Sequence, residues 1–206
     1  YTAEYIYGSW KVEHNWPPCC NVQFIGRSCN VENETLALLE DNGVNHGDFD
    51  ASVLRDVQTA VESGLTLRSD QEMGWSPTPD MYEGRRDYRK QRIFTIDPTT
   101  AKDLDDALHI TELDDGRVEI GVHIADVSYF VRPDSGVDGE AQRRATTVYL
   151  VDRVIPMLPK PLCEIACSLN ENVERLAFSC VWRMNKDGTL ENRAGKTKGD
   201  EVWYGR

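Results

Sequence analysis

Four aspartates, Asp97, Asp103, Asp105 and Asp106, crowd into ten residues directly behind the apolar, strand-like run Ile93-Phe94-Thr95-Ile96. No other feature limits the possible folds as tightly. At about 6 Å each carboxylate pair repels by roughly 3 kcal/mol at an effective dielectric near 20, and by only about 0.7 kcal/mol in open water. The chain must therefore leave this loop in solvent or bring a cation to it. Hard divalent cations take oxygen ligands, and magnesium favours a few carboxylates together with waters and substrate phosphates.

A solvated acidic loop is the plain alternative, because short motifs also occur by chance. A calcium helix-loop-helix site does not fit. It needs oxygen ligands at loop positions 1, 3 and 5 and glycine at position 6. Counting from Asp103 puts Ala107 and Leu108 at the last two of these, and counting from Asp97 puts Thr99, Ala101 and Lys102 at positions 3, 5 and 6.

Three regions separate along the chain. Residues 1–30 are rich in aromatic and β-branched side chains broken by Pro17, Pro18 and Gly26, a pattern of short strands and turns. Trp10 and Trp16 could stack on bases, but large aromatics more often pack in a core, and that reading is preferred. Residues 31–92 read as helical and irregular. Leu36 and Leu39 lie three apart, with acids in the first turn and Gly43 at a C-terminal cap, and residues 49–62 place Val53, Val57 and Val61 on one helical face. From Gly64 to Pro79 the composition is that of a surface linker, with Trp75 as a possible anchor.

Residues 93–206 alternate strand and helix signals. Val118, Ile120 and Val122 share one face of a strand that should pair with 93–97 or with 105–111, the latter across the hairpin signal Asp114-Asp115-Gly116. A short helix is expected over 138–147, strands over 148–151 and near 176–182, and a turn at Lys186-Asp187-Gly188. The fold class is α+β with a mixed sheet.

The ordered series Phe94 to Leu108, Gly121-Val122-His123-Ile124-Ala125-Asp126-Val127, Val148-Tyr149-Leu150, Ile155 to Pro159, Cys167-Ser168-Leu169-Asn170 and Trp203-Tyr204-Gly205-Arg206 resembles the opening of the catalytic domain of the ribonuclease II (RNB) family of 3′-to-5′ exoribonucleases. Within that family, Arg144 to Tyr149 and Val154 to Pro159 look nearest the exosome-independent cytoplasmic branch, with the exosome's own nuclease subunit as the near competitor. The resemblance implies the end of a cold-shock or oligonucleotide-binding barrel over 1–30, a linker over 31–92 and the N-terminal part of the catalytic domain over 93–206. It implies that Asp97, Asp103, Asp105 and Asp106 are catalytic and hold magnesium, or manganese in its place. It also implies that Tyr149, with Arg144, meets the RNA. Further implied are single-stranded RNA as substrate, with 3′-uridylated RNA a candidate form of it, a monomer, contact with an exosome core only in the exosome-subunit branch, and residues beyond Arg206 to complete the site. His123 and Asp126 fall in a strand motif and read as structural. His14, His46 and His109 show no partner pattern.

Composition bounds the alternatives. The balance of 35 acidic and 23 basic residues gives a net charge of −12, which argues against a module that holds phosphates by bulk electrostatics alone. The best local basic stretch, Arg85 to Arg92, reads equally well as a solvated helix start and as a phosphate contact. Six cysteines show no zinc spacing, and reduced thiols in the cytosol are the default. Cys163 and Cys167, one helical turn apart, should pack. No apolar run of membrane-spanning length and no secretory signal is found, so the expectation is a cytoplasmic protein. Three functions stay open: a magnesium-dependent exoribonuclease, a catalytically silent RNA-binding relative, and an interaction fragment whose acidic loop binds nothing. Retention of all four aspartates favours the first.

Overall fold

The computed structural model describes residues 1–67, 73–190 and 202–206. The chain divides into two compact units, Tyr1–Asp48 and Phe49–Arg206.

In the first unit β1 (Thr2–Tyr5) and β2 (Cys19–Gln23) form one antiparallel pair. A barrel is not shown by residues 1–30. Trp10 and Trp16 are exposed, which corrects the preference for core packing: a single two-stranded pair has no second layer under which to bury them. Helix α1 (Val31–Asp41) starts where Asn30 accepts a hydrogen bond from the Asn33 amide at 3.1 Å, and Gly43 takes the positive φ of +64° that ends it.

The second unit begins with α2 (Ala51–Val61). Its Val53, Val57 and Val61 are all buried, as their spacing predicts. Strands β3 (Leu65–Leu67) and β4 (Met73–Trp75) follow as a pair, so the expected surface linker instead delivers Trp75, 1% exposed, into the core. The middle of that linker, 68–72, lies outside the described residues. The Trp75 indole donates to the Val61 carbonyl at 3.0 Å and meets Phe130 edge-on at 5.2 Å. Met81, Ala125, Val137, Leu162, Ala166, Cys167 and Leu176 complete this cluster.

Strands β5 (Ile93–Phe94), β6 (Asp106–Glu112) and β7 (Val118–Ala125) come next. Helices α3 (Val127–Phe130) and α4 (Gly136–Arg144) precede the short pair β8 (Val148–Tyr149) and β9 (Val154–Ile155). A π-helical turn, Pro161–Ala166, leads to β10 (Ala177–Met184) and finally β11 (Val202–Gly205). The sheet order is β11-β10-β7-β6-β5. Among the described residues every pairing is antiparallel, where a mixed sheet was expected. The turn at Gly116, with φ +84°, joins β6 directly to β7 and so imposes the antiparallel sense. The run 93–97 is strand only as far as Phe94, and 148–151 only as far as Tyr149.

One face of this sheet is polar and buried. His109 on β6, His123 on β7 and Ser179 on β10 are each at most 3% exposed. The His109 and His123 rings hydrogen-bond at 2.7 Å between Nδ1 and Nε2, and His123 Nδ1 meets Ser179 Oγ at 2.8 Å. The His109 ring lies across β7 at its register partner Gly121, where any side chain would overlap the imidazole. Burial, and then the neighbouring His109, lower the His123 pKa from its usual value to about 4. The thiols of Cys163 and Cys167 are pushed up to about 11 and about 12, chiefly by burial, and pack as expected.

Two measurements check this arrangement. Trp75→Ala removes a fully buried indole and should cost about 3–5 kcal/mol in denaturant unfolding; a loss below about 1 kcal/mol would contradict its place in the core. Because the folded state depresses the His123 pKa, its neutral form contributes stability that is complete above the ordinary histidine value of 6.5. That contribution is lost as pH falls towards about 4. The melting temperature should therefore drop across that interval, and His123→Gln should flatten the drop.

Candidate active site

The aspartates occupy the irregular connection between β5 and β6. Asp97 follows β5 by three residues, Asp103 and Asp105 sit in the returning loop, and Asp106 opens β6. Asp97, Asp105 and Asp106 are exposed, and Asp103 is half-buried.

The loop holds its course because its backbone is fastened at several points. The Leu104 amide donates to Ser168 Oγ at 3.0 Å, and the Ser168 hydroxyl donates to the Lys102 carbonyl at 2.7 Å. The Leu104 carbonyl accepts from the Leu169 amide, and the Asp105 carbonyl from the Ala125 amide, both at 2.9 Å. Ser168 is fully buried. Its motif stood in the sequence, but its fastening role depends on contacts across 64 and 66 residues and left no local signal.

Tyr149, at the end of β8, reaches across 46 residues to donate its hydroxyl to Asp103 Oδ2 at 2.8 Å. That bond, followed by slight desolvation of the hydroxyl and the charges of Asp103 and Asp105, raises the tyrosine pKa to about 12. Asp105 is also shifted upward, first because its carboxyl is partly desolvated although the residue as a whole is exposed, and then by the charges of Asp103, Asp106 and Asp97. All four predicted carboxylates therefore share one electrostatic field. Among the described residues, however, no three acidic, histidine or cysteine side chains converge into a ligand set. In chemistry the donors fit magnesium: they are hard oxygens whose mutual repulsion a divalent cation would relieve.

Arg144 is packed: its guanidinium bonds Glu140 at 2.8 Å and lies 3.9 Å from the Phe49 ring centre, with the side chain 3% exposed. The basic stretch 85–92 is not helical. Arg85 pairs with Asp126 at 2.8 Å, Arg86 lies over Trp203 at 3.7 Å, and Arg89 bridges Asp87 and Glu174. This stretch borders a cleft of about 810 Å3 whose walls include Tyr88, Phe94, Leu104, His123 and Asn170. Asp126 is structural, as its strand motif suggested. It takes two arginines, Arg85 and Arg206, the latter at 3.0 Å, on a carboxylate that solvent does not reach.

Comparison with known proteins gives the family. The RNB domain model matches residues 85–197. The chain is 44% identical over 197 residues, 96% of its length, to DIS3-like exonuclease 2 of Schizosaccharomyces pombe, of which it covers 19%. It is 40% identical to DIS3-like exonuclease 2 of Xenopus tropicalis, matching over 96% of its own length and 21% of that protein. To the human exosome complex exonuclease RRP44 it is 39% identical over 88% of its length and 18% of the relative's. The chain thus spans about a fifth of the curated relatives it matches. Mycoplasma genitalium RNase R, solved in complex with ribose methylated single-stranded RNA, superposes with a TM-score of 0.67 at 25% identity, over 83% of this chain and 24% of that one. Yeast Ssd1, a pseudonuclease, shares the fold with a TM-score of 0.67 at 22% identity, over 98% of this chain and 23% of that one. A domain match across most of the second unit, with relatives of 40% identity and more along nearly the whole sequence, means that this chain belongs to the RNB-domain exoribonuclease family.

Proposed function

We propose that this chain carries the aspartate centre of a magnesium-dependent exoribonuclease. The enzyme would shorten single-stranded RNA from its 3′ end, release nucleoside 5′-monophosphates, and act as a monomer in cytoplasmic RNA decay. The observation that supports this most is the set of four carboxylates on one fastened loop, with a tyrosine hydroxyl on one of them, in a member of a family of named exonucleases. Bound magnesium would supply an activated water and neutralise charge on the phosphoryl oxygens. The chain's own residues do the rest. Asp97, Asp103, Asp105 and Asp106 would present the oxygens for the ion, the Tyr149 hydroxyl holds Asp103, and Ser168 fixes the backbone between Lys102 and Leu104. The exposed ring of Tyr149 offers a face on which a terminal base can stack without regard to its identity.

A silent RNA-binding relative is the second reading. It is favoured by the lack of a converged three-ligand set among the described residues. The two readings separate on one substitution. In the full-length protein, Asp106→Asn removes a charge at nearly constant volume. RNA turnover should fall by at least about 100-fold while RNA binding persists, and excess chelator should act on the wild type in the same way. Full hydrolysis by this variant, or in chelator, would overturn the assignment, and a wild type that binds RNA without hydrolysing it would establish the silent reading.

Strand state and direction give a further check. One tyrosine face accepts one base at a time, which a duplex cannot offer. RNA with a blocked 3′ end should resist the enzyme, while a 5′ block should have no effect. Equal degradation of both would refute the direction. Tyr149→Ala should slow the removal of terminal nucleotides, whereas Tyr149→Phe, which keeps the ring and frees Asp103, should be milder.

A further inference from the structure

The buried histidine pair has a feature that packing alone does not explain. Among the described residues, His109 Nε2 is the one buried side-chain nitrogen or oxygen without a hydrogen-bond partner. The nearest acidic group is Glu119, its Oε1 3.8 Å away, and Glu119 is itself held by Arg183 at 2.9 Å.

A neutral imidazole has one N–H and one lone pair, so the bonds among His109, His123 and Ser179 allow two proton orders. If His109 Nδ1 and His123 Nδ1 carry the protons, the chain ends with the His109 Nε2 lone pair facing the Glu119 carboxylate, which is repulsive. If instead both Nε2 atoms carry them, the Ser179 hydroxyl donates to His123 Nδ1, and His123 Nε2–H donates to His109 Nδ1. His109 Nε2–H then points towards the Glu119 carboxylate, which is attractive. Burial leaves little solvent to screen the difference.

This chain supports the segment that leads to the aspartates. The Tyr88 ring packs against both imidazoles at a tilt, its centre 5.5 Å from His109 and 4.8 Å from His123. The Gln91 amide bonds back to the Tyr88 carbonyl at 2.9 Å, and the Gln91 side chain meets Thr111 of β6 at 3.1 Å. Ile93 pairs with His109 itself, and Asp97 follows four residues later. The aromatic floor and the strand register thus fix the same short piece of chain.

We propose that His109, His123 and Ser179 form a one-directional hydrogen-bond chain, both histidines protonated at Nε2, that positions Tyr88, β5 and through them Asp97 at the aspartate centre. The proposal rests on the nuclease reading for its effect on turnover, but the proton order stands independently of it. None of the three is a catalytic residue; they act through Asp97.

The test uses the full-length protein. Its first readout is nitrogen NMR after 15N-histidine labelling, with His109→Asn and His123→Gln to assign the two rings. Both should show a protonated Nε2 and an unprotonated Nδ1 near neutral pH, and a protonated Nδ1 on either ring overturns the proton order. The second readout is kinetic, on single-stranded RNA with magnesium. Ser179→Ala leaves both rings in place but removes the first donor. It should lower kcat and magnesium affinity by about 10- to 100-fold, the scale on which partners behind metal ligands act, with KM for RNA changed by less than about twofold. His123→Gln keeps an amide donor towards His109 and should retain more kcat than His123→Leu. If His123→Leu fails to fold, Ser179→Ala and His123→Gln still decide. Wild-type kcat and magnesium affinity in both would overturn the positioning role. A wild type that never hydrolyses RNA would instead end the nuclease reading, leaving NMR and magnesium affinity to judge the chain.

Discussion

The Asp126 carboxylate, inaccessible to solvent and held by the guanidinium groups of Arg85 and Arg206, is the interaction on which the second unit most depends. It sits just after β7, while its partners come from the basic stretch before β5 and from the end of β11. Ser128 joins both ends of the same network, donating to Asp126 and accepting from Arg206. One buried charge with two counter-charges thus fastens three separate stretches of chain. Removing one side of such a pair leaves an uncompensated buried charge, at a cost of about 3–5 kcal/mol.

That fastening explains why a basic stretch serves the fold before it serves any phosphate. Arg85 is committed to Asp126, Arg86 lies over Trp203, and Arg89 is shared between Asp87 and Glu174. With these cations engaged, the net charge of −12 is compatible with an RNA-directed role only if the acidic centre is offset locally. The aspartate loop fits such a division of labour. Ser168, Leu169 and Ala125 hold its backbone, and Tyr149 holds one carboxylate, so among the described residues the loop is shaped by uncharged partners.

Strong local patterns carried the reading of the fold. The four-residue spacing of Val53, Val57 and Val61, the first-turn acids and Gly43 around α1 and the Asp-Gly turn before β7 each act within a few residues, and each element forms. Errors arose where distant neighbours decide. The stretch around Trp75 has linker composition with one anchoring ring, yet that ring is wholly buried against α2 and Phe130 and draws its strand into the core. Trp10 and Trp16 have core composition, yet a two-stranded pair offers no layer to cover them.

The sequence alone determined the presence of four aspartates in ten residues, their position between two strands and the family to which the motif order points, because these are properties of chain order. Tertiary structure decided what each neighbour does. It set Arg144 against Phe49, sent the Tyr149 hydroxyl to Asp103, and joined His109, His123 and Ser179 into one buried chain. The Tyr149 and histidine-chain contacts span 14 to 56 residues, and Arg144, though close to Glu140, reaches a ring 95 positions away. A side chain's partner in a folded protein is set by the geometry of the packed sheet, and no local spacing encodes that geometry.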